Sequence, residues 1–258
     1  MVQGRVVFIT GAASGIGLAI GKAFARQQAK VVLTDIDKDK VQKAAAEIAD
    51  EGLSCIGLAC NVTNEDAVGE AFAETLRVFG RLDILINNAG MQYVAKLEDF
   101  PTETFEKMTR IMLTAPFSMI KKAVPIMKEQ KHGRIINMSS INGVIGFAGK
   151  AGYNSAKHGL IGLTKVAALE GAEHGITVNA LCPGYVDTPL VRNQLEDLAA
   201  DRGVTLEKVL EEVIYPLVPQ KRLLDPQEVA DYALFLAGDQ AKSVTGQSVL
   251  IDGGYTAQ

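Results

Sequence analysis

A tyrosine and a lysine four positions apart, Tyr153 and Lys157, with Ser140 upstream of them, are the residues of this sequence best suited to chemistry. At positions i and i+4 of a helix, the Lys157 ammonium shares a face with the Tyr153 phenol. A free tyrosine has a pKa of roughly 10 and shuttles protons poorly at neutral pH. A cation beside it stabilises the phenolate, so the spacing predicts a lowered pKa and a general acid/base at Tyr153. A ring packed on a core next to a solvated lysine has the same spacing, so the pair takes its meaning from its surroundings.

The N-terminal segment supplies the first of these. An apolar β-branched run over residues 6–9 leads into Thr10-Gly11-Ala12-Ala13-Ser14-Gly15-Ile16-Gly17, which reads as strand, tight turn and helix. Glycines at such a turn let the backbone approach a pyrophosphate, whose charge meets free N–H groups and the positive end of the helix dipole. The spacing is Gly-x-x-x-Gly-x-Gly rather than Gly-x-Gly-x-x-Gly. A second strand, residues 31–34, ends at Asp35, where a carboxylate can accept hydrogen bonds from ribose hydroxyls and repel a 2′-phosphate. The expected cofactor is therefore NAD.

Composition agrees with an α/β enzyme. The chain has 258 residues, 48% of them hydrophobic, and alternating strand and helix patterns run through it without a polar linker, so one domain over residues 1–258 is expected. A net charge of −4 gives no basis for nucleic-acid binding. No apolar stretch reaches the ~20 residues that span a bilayer, and the N-terminus lacks a signal-peptide pattern, so a cytoplasmic protein is expected. Cys55, Cys60 and Cys182 lie in or beside apolar runs and read as packed thiols, and His132, His158 and His174 lack ligand spacing. No metal site is expected.

The elements that must position these residues follow from pattern. Strands are expected over 53–59, 82–86, 134–138, 177–181 and 248–251, and helices over 65–79, 103–128, 153–173, 190–213 and 226–236. Pro116 and Pro125 should bend or interrupt the second of those helices. Repeated strand–helix alternation implies a Rossmann-like, doubly wound parallel sheet, whose ligands bind at the carboxyl ends of the strands. The glycine turn, Asp35, Asn61, Asn88, Ser140 and Pro183-Gly184 all fall at such ends. Leu160, Leu163 and Ala167 form an apolar stripe on the helix of Tyr153 that suits either the chain's own sheet or a second subunit.

From end to end the sequence resembles the short-chain dehydrogenases/reductases, through Thr10 to Gly17, Asn87-Asn88-Ala89-Gly90, Ser140, Tyr153 with Lys157, Pro183-Gly184 and Asp252-Gly253-Gly254. The resemblance implies that Tyr153 exchanges a proton with the substrate oxygen, that Ser140 hydrogen-bonds that oxygen, and that Lys157 binds the nicotinamide ribose. It also implies Asn61 and Val62 near adenine, Asn88 near the adenosine side, Val186 beside the Pro183-Gly184 loop, Thr188 at the nicotinamide carboxamide, a helical cover over about 188–216, and a homotetramer. Two departures stand out. Asn61 replaces a usual aspartate, and its amide oxygen can still accept from an adenine amino group. Met112 replaces a usual catalytic asparagine. In the family the backbone carbonyl there holds a water in the proton relay, so the relay is expected to survive.

Substrate choice rests on residues outside the shared set. Gln92, Asn142, Lys150 and Gln194 would place one cation and three amides around a small cleft that also holds Ser140 and Tyr153, a combination suited to a carboxylate. Each alone reads more readily as a solvated surface residue than as a ligand. Jointly, and with residues 141–150 and 183–191, they resemble D-3-hydroxybutyrate dehydrogenases, which implies interconversion of D-3-hydroxybutyrate and acetoacetate. A 3-oxoacyl carrier-protein reductase is the alternative enzyme, although such reductases commonly carry an arginine where this chain has Ser14. A non-catalytic NAD-binding scaffold is the alternative of a different class, set against the intact Ser140, Tyr153 and Lys157.

Overall fold

The computed structural model describes residues 2–257. Seven strands form one wholly parallel sheet: β1 Val6–Thr10, β2 Lys30–Asp35, β3 Cys55–Ala59, β4 Ile84–Asn87, β5 Gly133–Met138, β6 Ile176–Pro183 and β7 Ser248–Ile251, in the order β3-β2-β1-β4-β5-β6-β7. The order reverses between β1 and β4, the place where open α/β sheets bind ligands. β-Branched runs make these strands, and both sheet faces are covered. Val7, Ile9, Val31 and Leu33 enter one core with helices α1 Gly15–Arg26, α2 Lys38–Asp50 and α9 Pro226–Ala237. Val6, Phe8 and Val32 enter the other, with α3 Glu65–Phe79, α5 Ala115–Gln130 and α6 Ala151–Gly171. There Phe8 meets Phe72 edge to face at 4.8 Å, a contact whose loss in Phe8→Ala would cost about 3–5 kcal/mol.

Helix α2 lies outside the sequence-based expectations, although Asp37 caps it and Val41, Ala44, Ala45 and Ile48 are buried along one face. The helical run over 103–128 is interrupted just before Pro116. Helix α4, Thr102–Thr109, passes through a wide π turn, Arg110–Thr114, directly into α5. Pro116 sits in the first turn of α5, where no N–H is needed, and Pro125 lies inside the helix. The run over 190–213 is divided instead. Helix α7, Pro189–Arg202, ends at Gly203 with φ +63°, and a short α8, Leu206–Val209, and a second π turn, Leu210–Ile214, follow.

On α6, Leu160 and Ala167 are buried in the chain's own cores and Leu163 packs there too, so that stripe faces this sheet. The exposed apolar residues of α6 are Val166 and Leu169. A chain of buried amides fixes α6 against the sheet below the site: Asn87 Nδ2 donates to Asn137 Oδ1 (2.8 Å), Asn137 Nδ2 to Thr164 Oγ1 (2.8 Å), and Thr164 Oγ1 to the Leu160 carbonyl (2.8 Å). Among the described residues no helix is long and apolar enough to cross a membrane, and no cluster of three or more His, Cys, Asp or Glu could hold a metal ion.

Candidate active site

A cleft of about 530 Å³ opens at the carboxyl ends of the strands and gathers nearly every residue expected at a cofactor site. Gly11, Ser14, Gly15, Ile16, Asp35, Asn61, Val62, Asn88, Ser140, Tyr153, Lys157, Pro183, Gly184, Val186 and Thr188 all line it. Gly17 does not, but it shapes the turn beneath. A Cβ on Gly17 would lie 2.6 Å from both the Asn88 amide nitrogen and the Gly11 carbonyl oxygen. Gly11, at φ +60°, would bring a Cβ to 2.7 Å from the Ala89 Cα. Asn88 itself is a strut: its Nδ2 donates to the Thr10 and Gly11 carbonyls at 2.9 Å each.

The donor set fits a dinucleotide. Ser14 at the head of α1 makes no side-chain cap bond, as is also true of α4, α5 and α6, and because Ser14 and Gly15 line the cleft, the first N–H groups of α1 are placed to meet a phosphate there. Asp35 is oriented by two N–H donors, Ala13 and Asp37, at 3.2 Å each, and its remaining lone pairs face the cleft. Ile36, 73% exposed beside it, lines the same wall and was not foreseen, although an apolar residue between two aspartates at a strand end is a readable signal. Asn61 departs from expectation. Its side-chain oxygen accepts from the Thr63 N–H (3.1 Å) and hydroxyl (2.8 Å), so the amide has its acceptor engaged locally and presents its nitrogen instead.

At the reacting end, Tyr153 and Lys157 stand on α6 and Ser140 follows β5. The Ser140 hydroxyl lines the cleft with the Tyr153 phenol and accepts the Asn142 N–H at 3.2 Å. Lys157 Nζ lies 5.4 Å from the Tyr153 ring centroid and donates to the Met138 carbonyl at 2.6 Å. The predicted lowering of the tyrosine pKa by Lys157 is not found. Burial pushes the phenol up, with the Ser140 hydrogen bond pulling the other way, and burial pushes the Lys157 ammonium down to about 8. Both groups lose water when α6 packs on the sheet, and for each that loss outweighs what the neighbour returns.

Around Met112 the helix widens into a π turn. In the π turn the Ala115 N–H reaches back to the Arg110 carbonyl, and Pro116 has no N–H to give. The proline at 116 thus withholds one ladder donor from the Ile111 and Met112 carbonyls. Both residues pack in the apolar cluster that contains Tyr153.

None of the four residues proposed to hold a carboxylate lines the cleft itself. Asn142 and Lys150 are buried on the segment that follows Ser140, whereas Gln92, which accepts the Tyr93 N–H at 3.2 Å, and Gln194, on α7, are half-buried on other elements. Lys150 is only 9% exposed and has no carboxylate partner among the described residues. Its Nζ rests 4.6 Å from the Phe147 ring centroid and 5.8 Å from that of Tyr185, and burial lowers its pKa.

Comparison with known proteins places this geometry among oxidoreductases. A family model described as enoyl-(acyl carrier protein) reductase matches residues 11–256. The chain is 59% identical over 254 residues to the uncharacterized oxidoreductase YxjF of Bacillus subtilis (strain 168), covering 98% of this chain and 99% of that protein. It is 43% identical over 258 residues to a D-beta-hydroxybutyrate dehydrogenase of Rhizobium meliloti (strain 1021), again covering 98% and 99%. Among solved structures, an actinorhodin polyketide ketoreductase variant with NADPH superposes with a TM-score of 0.94 at 31% identity, covering 100% of both chains.

Proposed function

The chain belongs to the short-chain dehydrogenase/reductase family, and on that premise we propose that it is an NAD-dependent oxidoreductase interconverting D-3-hydroxybutyrate and acetoacetate. A nicotinamide cofactor follows from the family, and Asp35 supports NAD over NADP, because a carboxylate at that wall accepts from ribose hydroxyls and repels a 2′-phosphate. The observation that carries the substrate reading is Lys150. An ammonium removed from water without a partner is unfavourable, and an anionic substrate group is the partner it lacks. The dehydrogenase name carried by the Rhizobium meliloti relative agrees with this reading.

A nicotinamide cofactor held by the cleft would supply the hydride acceptor for the carbinol carbon. Tyr153 takes the hydroxyl proton in oxidation and returns it in reduction. Ser140, which lines the cleft with that phenol, donates to the same substrate oxygen and aligns it with Tyr153. Lys157, anchored on the Met138 carbonyl, holds its ammonium beside the phenol where a ribose hydroxyl can share it. The spare carbonyl of the Ile111–Met112 turn serves as the water acceptor of the proton relay without needing an asparagine side chain.

Assay of 3-hydroxybutyrate against its methyl ester tests the reading, because the ester keeps the reacting carbon and loses the charge. A strong preference for the acid is expected. Equal efficiency would favour the second reading, a reductase of acyl thioesters, which the description of the matching family model supports. We further take the protein to be a homotetramer, with the exposed Phe117, Val166 and Leu169 among the apolar residues available for self-association. Light scattering on the purified protein would read that mass directly.

A further inference from the structure

Resting on the carboxylate reading, we propose that Phe147 is a positioning residue that presets the Lys150 ammonium for an anionic substrate. The segment after Ser140 folds into a tight turn over Phe147-Ala148-Gly149-Lys150, closed by the Lys150 N–H on the Phe147 carbonyl at 3.3 Å. Gly149, the third residue of the turn, has φ +80°, a conformation that reverses the chain and that a side chain would strain. The turn is also tied to the loop after β4: the Ala95 N–H donates to the Gly149 carbonyl at 3.0 Å, and a Cβ on Gly149 would come within 3.1 Å of the Val94 side chain. This reversal lays the Lys150 stem back along the Phe147 ring, with Nζ over its face at 4.6 Å and Tyr185 on the far side at 5.8 Å.

The consequence lies in what the ring offers and what it withholds. An aromatic face attracts a cation electrostatically but neutralises none of its charge. A glutamate at this place would hold the ammonium equally well, yet it would compete with the substrate carboxylate. Phe147 keeps Lys150 at the site rather than free in solvent, and burial of Tyr185, which pushes its phenol up to about 12, leaves that neighbour neutral as well. Neither neighbour therefore neutralises Lys150, and less side-chain ordering remains to be done if the ligand's anionic group reaches it beside the cleft.

The test is steady-state kinetics of Phe147→Leu, Phe147→Met, Phe147→Tyr and Phe147→Trp on 3-hydroxybutyrate and its methyl ester. For Phe147→Leu and Phe147→Met, KM for the acid should rise roughly 5- to 30-fold, with kcat, ester efficiency and KM for NAD little changed. Phe147→Tyr and Phe147→Trp, which keep an aromatic face, should restore KM to within about threefold. Parallel losses on acid and ester, or no rescue by the aromatic variants, would show that the ring only packs. If the native enzyme already treats acid and ester alike, the carboxylate reading fails. If it discriminates and Phe147→Leu still does, only the role of Phe147 fails.

Discussion

Replacing Lys150 by methionine should make the protein worse as a catalyst and more stable as a fold. Lys150 is 9% exposed, lacks an anionic partner among the described residues, and touches two aromatic faces. A hydrogen bond to a charged group is worth roughly 1.5–3 kcal/mol, so kcat/KM for the acid should fall about 10- to 150-fold. The methyl ester should lose little. Methionine has a similar length, pays no desolvation cost for a charge, and its thioether packs well on Phe147 and Tyr185. Against the lost cation–π attraction, a net gain of about 1 kcal/mol is expected, which for a chain of this size raises Tm by roughly 2–4 °C. Calorimetry of both proteins at pH 7, paired with the acid and ester kinetics, reads both halves at once. A lower Tm together with equal loss on acid and ester would mean that Lys150 is a structural residue, and the argument from its isolation would collapse.

Tyr153→Phe should reduce turnover by about 10²–10⁴-fold while titration calorimetry finds NAD affinity nearly unchanged, because only the proton-carrying hydroxyl is lost. Asp35→Ser should narrow the preference for NAD over NADP, measured as the ratio of kcat/KM values; a native enzyme that uses both equally would show that the β2 carboxylate does not select. His132 gives a pH prediction. Burial pushes its pKa down to about 4, so the folded state prefers the neutral ring while the unfolded chain takes a proton near 6.5. Stability is then complete above pH 6.5 and is lost as pH falls toward 4, by about 1–2 kcal/mol at pH 5. Denaturant titrations of His132→Gln at pH 5 and pH 7 should differ by less than those of the native protein, and an unchanged difference would refute the assignment.

What could be read without coordinates was set by short-range spacing. The glycine turn, Asp35 at a strand end, and Tyr153 with Lys157 each lie within one element or one turn, and all of them line or shape the cleft. The Tyr153 pKa was misjudged because it depends on burial by distant elements, which outweighs the i, i+4 neighbour. The local bonds of the Asn61 oxygen to Thr63 were not anticipated, although Asn-x-Thr is a recognisable local cap. Helix α2 escaped notice because alanines supply half of its buried face. The π turn before Pro116 has no composition of its own. It precedes a proline in the first turn of the next helix, a local geometry that pattern alone does not show. The four polar residues offered for a carboxylate come from three separate segments, and spacing along the chain says nothing about the distances between them.

The contact between the glycine turn and Asn88 has a consequence for how such a protein can be made. Gly11 and Gly17 are shaped against Ala89 and Asn88, and the turn is held by two hydrogen bonds from the Asn88 amide. A nascent chain that has released β1, α1 and β2 already carries every glycine of the nucleotide loop and the Asp35 carboxylate, yet the loop has nothing to close on. β4 must first slot in beside β1. A gene fragment ending before β4 would encode the signature of a dinucleotide site without the Asn88 and Ala89 contacts that shape it.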